Sequence, residues 1–161
     1  YPRNTNYPSL LRRCCMTLAM AAIPLEILEK PGKRTDQEFA VIKTHPLVAG
    51  EYLGQDPHLS PEILSVIVQR HEYLDGSGYP YQLKGREISK LAQILTVCDI
   101  FGALAEKRSY REPQTSEQAI QILMGMAQAE KVNHDVVCTL ARAVGVENPD
   151  NQSGEIKRLS T

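Results

Sequence analysis

Arg70-His71-Glu72-Tyr73-Leu74-Asp75-Gly76-Ser77-Gly78-Tyr79-Pro80 sets an imidazole and a carboxylate directly before a glycine-broken turn, with a second carboxylate at its start and Tyr79-Pro80 closing it. Just upstream, Ser60-Pro61 pairs an N-cap with proline at the first helical position, a strong start signal. The helix it opens carries Ile63, Leu64, Ile67, Val68 and His71 at spacings that form one apolar face. Residues 73 to 88 hold Gly76, Gly78, Pro80 and Gly85, and are predicted to be a long loop rather than a strand. Ser89 to about Glu106 follows as a helix apolar almost all round, hence central.

Helical signals continue outward on both sides. Leu10 to Ala22 has the apolar density of a core-facing helix that Pro24 ends. Thr35-Asp36-Gln37-Glu38 is a capping box for a helix toward Thr44, where Pro46 forces a break; Leu47 to Leu53 resumes, and Gly54 suits its end. Thr115 and Gln118 cap another helix, and Asn133 starts the last, with Asp135 in its first turn. No stretch alternates long enough to build a sheet, so the predicted fold is all-α. Residues 1–9 read as an irregular lead-in, 10–145 as the domain, and 146–161 as a flexible polar tail.

Composition narrows the function classes. A chain of 161 residues with 42% hydrophobic and 23% charged residues suits one ordinary globular domain. A formal net charge of -1 leaves no basic footprint for duplex nucleic acid. The most apolar stretch, Cys14 to Ile23, is about half the length of a membrane span, so no span is expected and the expected compartment is the cytoplasm. Cys14, Cys15, Cys98 and Cys138 lack the paired spacing of zinc sites and read as reduced structural thiols.

The opening run resembles the HD-GYP domain, a bacterial signalling hydrolase that opens cyclic di-GMP. Ile23-Pro24-Leu25-Glu26-Ile27-Leu28-Glu29-Lys30-Pro31-Gly32, His45-Pro46 with Gly50, and Val97-Cys98-Asp99-Ile100-Phe101 followed by Arg108-Ser109-Tyr110-Arg111 are similar to further family segments in the same order. The resemblance covers roughly residues 15 to 145 and implies an HD-domain-like helical bundle with a long glycine-rich loop. It also implies metal-ligand positions at His45, His71 and Asp99. At the family's His-Asp place, however, stand Met16-Thr17, and Arg70 stands where a ligand histidine is usual. His134-Asp135 falls far too late in the order to replace them.

A hydrolytic metal site needs an activated metal-bound water, and the resemblance makes the missing aspartate the bridge between two ions. The expectation is therefore a degenerate domain with no catalytic residues, no metal and no cofactor, acting as a regulatory or partner-binding module in cyclic di-GMP signalling. The alternative is an active metal-dependent phosphodiesterase with a rearranged ligand set using iron or manganese. Arg70 is read as a metal-replacing cation facing Asp99. The loop Asp75, Gly76, Gly78, Tyr79 and Pro80 is read as a contact for a protein partner, by resemblance a diguanylate cyclase or regulatory domain, or else as a plain turn. Lys84, Arg86, Arg108 and Arg111 are candidate phosphate contacts toward cyclic di-GMP, against a bland reading as solvated charge. His45 has a bland reading too, as a hydrogen-bond partner for a carbonyl freed at the Pro46 kink, and His71 one as a satisfied core histidine.

Overall fold

In the computed structural model, which describes residues 23–28, 30, 32–106 and 113–146, all regular structure is helical. The lead-in, the helix expected from Leu10 to Ala22, Arg108, Arg111 and residues 147–161 lie outside the described residues. The helices are α1 (Leu25–Leu28), α2 (Asp36–Ile42), α3 (His45–Leu53), α4 (Pro61–Gln69), α5 (Lys90–Ala105), α6 (Ser116–Gln128) and α7 (His134–Ala143), with a 3-10 turn at Gly85–Glu87. The chain divides into two compact units, residues 1–68 and 69–161.

In the first unit the expected caps form. Thr35 Oγ1 accepts from the Glu38 amide while the Glu38 carboxylate accepts from the Thr35 amide, closing the capping box of α2. Lys30 donates to that same carboxylate at 2.7 Å and, with the Thr35 amide, holds the Glu38 carboxyl below its ordinary range. Arg34 donates to the carbonyls of Ile27 and Leu28, satisfying the open end of α1. The Pro46 break falls where expected, but α3 begins at His45, because proline fits the first turn of a helix and needs no amide proton there. Gly54 ends α3 in right-handed geometry, not in the left-handed conformation that favours glycine.

The second unit holds the larger core. Val97 from α5, Ile120, Leu123 and Met124 from α6, and Val137 and Ala141 from α7 pack with Val132 and Val146 into one buried cluster. The Thr115 cap of α6 and the Asn133 cap of α7 both form, Asn133 Oδ1 accepting from the Asp135 and Val136 amides. Ser89 caps α5 through the Ala92 amide.

Two expectations change. The helix after Ser60-Pro61 stops at Gln69, so His71 lies beyond α4 and not on its apolar face, and Ile63 is exposed. The reason is competition for backbone groups. The carbonyls of Arg70 and His71 accept from Thr96 Oγ1 and the Tyr79 amide, and the Leu74 amide donates to the Lys131 carbonyl, leaving no ladder to continue. Secondly, α5 buries only Ala92, Thr96 and Val97 fully, while Leu91 is 64% exposed and Ile94 and Cys98 are also exposed. An apolar sequence does not by itself supply neighbours on every side.

Gly50 shows how tightly the first unit is packed, because a Cβ there would lie 2.7 Å from Val68 Cγ2, and a β-branched side chain has little freedom to yield. Gly50→Ala is expected to cost about 1–3 kcal/mol in denaturant unfolding. Gly50→Ala with Val68→Ala is expected to lose less than the sum of the single changes.

Candidate functional site

The chain turns sharply after α4, and three consecutive residues are fixed there in different ways. Thr96 Oγ1 stands 2.9 Å from both the Arg70 and Ala92 carbonyls and shares its single proton between them. The His71 carbonyl accepts from the Tyr79 amide at 3.1 Å. Glu72 is 2% exposed, and its carboxylate accepts from the Tyr81 amide at 2.6 Å and the Leu83 amide at 3.1 Å. A buried carboxylate is tolerable on such terms, since charge-assisted bonds replace its hydration.

These bonds shape the loop. Asp75 Oδ1 accepts from the Ser77 amide and hydroxyl, which hold the exposed Asp75 carboxyl below its ordinary range. Gly76 takes a φ of +81° and Gly78 is buried, a Cβ there falling against Glu72 Cα and Tyr73 N and 2.6 Å from the His71 carbonyl oxygen. The two glycines answer different needs, one a left-handed turn and the other a close crossing of two backbones. The far end of the loop is tied by the Gln69 side chain, which accepts from the Ser89 amide, and by Gln93, which donates to the Ile88 carbonyl and accepts from Asn133. Beneath the loop, Glu72, Leu74, Gln93, Thr96 and Asn133 border a cavity of about 10 Å³, room for one water and no organic ligand.

Around His71 the side chains form a polar group. Arg70 is 4% exposed, and its Nε donates to His71 Nε2 at 3.3 Å. His71 and Tyr79 stack with centroids 4.9 Å apart. The Tyr79 phenol is pushed up to about 12, first by burial and then by Tyr73, with Arg70 opposing and Asp99 adding to the rise. The Tyr73 phenol is also raised, by burial and then by Asp75 and Asp99. Arg70, His71, Tyr73, Tyr79 and Asp99 thus share one neighbourhood of the second unit, in which a positive and a negative charge act on the Tyr79 hydroxyl in opposite senses.

Asp99 is only partly buried on α5, less enclosed than its apolar sequence context suggests. In the first unit His45 is 3% exposed, with Nδ1 2.6 Å from the Ile42 carbonyl, the bond that the Pro46 kink makes available. In the loop, Asp75 is exposed whereas Gly78 is buried and Tyr79 and Pro80 are half-buried, so the outward face includes Asp75, Ser77, Tyr81, Gln82, Lys84, Arg86 and Glu87. The sequence reading passed over Glu72 and Thr96. The signal for Glu72 was its place between His71 and the glycines; Thr96, inside a helix, gave none.

The model of the HD domain family matches residues 11–136. Relatives include a cyclic di-GMP phosphodiesterase of Pseudomonas aeruginosa, 37% identical over 62% of this chain and 24% of that protein. A 3'3'-cGAMP-specific phosphodiesterase of Vibrio cholerae is 40% identical over 70% of this chain and 21% of its own length. The cyclic di-GMP phosphodiesterase response regulator RpfG of Xanthomonas campestris is 41% identical over 63% and 27%. This chain belongs to the HD domain family. Within it, the intact Asp75 to Pro80 loop and these relatives make it an HD-GYP domain, although the chain spans only about a quarter of the length of the curated relatives it matches.

Glu72→Ala leaves two amides without their acceptor and is expected to cost about 2–4 kcal/mol, with Glu72→Gln recovering part through its one amide oxygen. Gly78→Ala is expected to cost about 3 kcal/mol, because backbone and not a side-chain tip must move. Denaturant unfolding of each variant checks both.

The raised Tyr79 pKa carries a sign. Its contribution to stability is complete below the unfolded value of 10.0 and is lost as pH rises through about 12. Unfolding midpoints measured across that window should fall less steeply in Tyr79→Phe than in the parent protein.

Proposed function

We propose that residues 10–145 form a degenerate HD-GYP domain that does not hydrolyse cyclic di-GMP and serves as a regulatory, partner-binding module in cyclic di-GMP signalling. The observation that carries this reading is the Arg70 Nε to His71 Nε2 contact at 3.3 Å. A histidine binds a metal through a ring-nitrogen lone pair, and at His71 the Nε2 lone pair is directed at a permanently charged guanidinium. A dication at the same nitrogen would meet that charge at close range, so the residues present do not fit the family's iron or manganese. On this reading Arg70 is the standing cation for Asp99, and both lie in the neighbourhood of Tyr79.

Thr17 at the bridging aspartate position and Met16 beside it point the same way. The loop supports a binding role, since Glu72 and Asp75 hold its backbone in place while Asp75, Tyr81, Lys84 and Arg86 stay exposed. Its partner-facing residues are then Asp75 and Tyr81, the latter 59% exposed, with Lys84 and Arg86 available to phosphate. The class of partner is a diguanylate cyclase or regulatory domain, and the class of ligand a cyclic dinucleotide, as the names of the relatives suggest.

Incubation with cyclic di-GMP, 3'3'-cGAMP or linear pGpG in the presence of manganese or ferrous iron is expected to leave each intact by chromatography. Restoring Met16→His with Thr17→Asp is expected to give no turnover while Arg70 remains. Linear or mononucleotide product that grows in proportion to the purified protein would overturn the reading in favour of an active phosphodiesterase.

A further inference from the structure

On α7, away from the loop, His134 and Cys138 stand four residues apart on one helical face, with the Cys138 sulfur 3.7 Å from Nδ1 and 3.9 Å from Nε2 of His134. In a tetrahedral site with Zn–S of about 2.3 Å and Zn–N of about 2.0–2.1 Å, the two donors lie about 3.5–3.6 Å apart. The pair is therefore already at nearly the separation that one ion imposes. The His134 side chain is 50% exposed, Cys138 is partly exposed and reduced, and the Asp135 carboxylate lies 3.9 Å from His134 Nδ1, adding negative charge beside the pair.

We propose that His134 and Cys138 form a surface site for a borderline transition metal ion of the zinc or cobalt type. Thiolate and imidazole together favour such ions over magnesium, calcium or manganese, which take oxygen ligands. On binding, the Cys138 thiol loses its proton to solvent and forms the sulfur–metal bond, and neutral His134 forms the nitrogen–metal bond; nothing is oxidised or reduced. No three His, Cys, Asp or Glu side chains converge on an ion among the described residues, so the pair supplies two ligands and water completes the shell. The helix fixes the spacing in advance, which reduces the entropy lost on chelation. This site is independent of the proposed loss of metal at His71, since it uses other residues on another helix.

Titration of the reduced full chain with Co²⁺ reads the site directly, because thiolate ligation gives a near-ultraviolet charge-transfer band. The expected result is a band that saturates at one ion per chain with release of one proton and competes with Zn²⁺. It should be unchanged in Cys98→Ser and His71→Ala and lost in Cys138→Ser, while His134→Ala shifts the titration to weaker affinity. Circular dichroism of His134→Ala and Cys138→Ser should match the parent protein, and apo-protein folding is thereby separated from ligation. Absence of the band, its survival in Cys138→Ser, or unaltered affinity in His134→Ala would overturn the proposal. Hydrolysis of a cyclic dinucleotide would refute the preceding function and leave this site untouched.

Discussion

A single buried carboxylate organises the second unit. Glu72 draws the Tyr81 and Leu83 amides toward the turn that follows α4, and so bends the glycine-rich segment back over its own start. Without those bonds two amides and a charge would be buried unsatisfied, each at a cost of about 1–3 kcal/mol or more. The crossing that results is so close that Gly78 has no room for a Cβ, and it delivers the Tyr79 ring onto His71. The glycine requirement and the ring stacking both follow from that crossing, while α4 ends where Thr96 and the Tyr79 amide claim the carbonyls of Arg70 and His71.

That fact also bears on what holds the loop. The bonds of the loop run from Glu72, Thr96, Gln69, Asp75 and the Lys131 carbonyl, none of which the family resemblance counts among the ligands. On the proposed reading, these bonds hold the loop in its present shape whatever occupies the ligand positions. Arg70 is compatible with this arrangement: its carbonyl belongs to the scaffold through Thr96, while its guanidinium faces His71 and brings a fixed positive charge to the Tyr79 neighbourhood.

Histidines illustrate how little a residue type says without its surroundings. His45 spends Nδ1 on a carbonyl at a proline kink, His71 lies under a tyrosine ring beside a guanidinium, and His134 sits half-exposed on α7 next to a thiol. The His134-Asp135 pair, misplaced for the family's chemistry, acquires interest only through Cys138 one turn later, a neighbour that cysteine spacing alone does not reveal.

The residues by themselves determined the helical class, the caps at Thr35, Ser60, Thr115 and Asn133, the break at Pro46, and the long loop after His71, because each depends on bonds between groups a few residues apart. The Asp75 to Pro80 wording carried the family resemblance. The local logic of periodicity extended the helix through His71 and enclosed α5 on all sides, since periodicity carries no information about which distant group competes for a carbonyl or which face lacks a neighbour. Only the tertiary structure decided that Thr96 and Tyr79 capture the carbonyls of Arg70 and His71, that Glu72 holds the loop, and that Leu91 and Ile94 face outward. Those outcomes rest on contacts between segments far apart in the chain, where one backbone group can be claimed by only one partner.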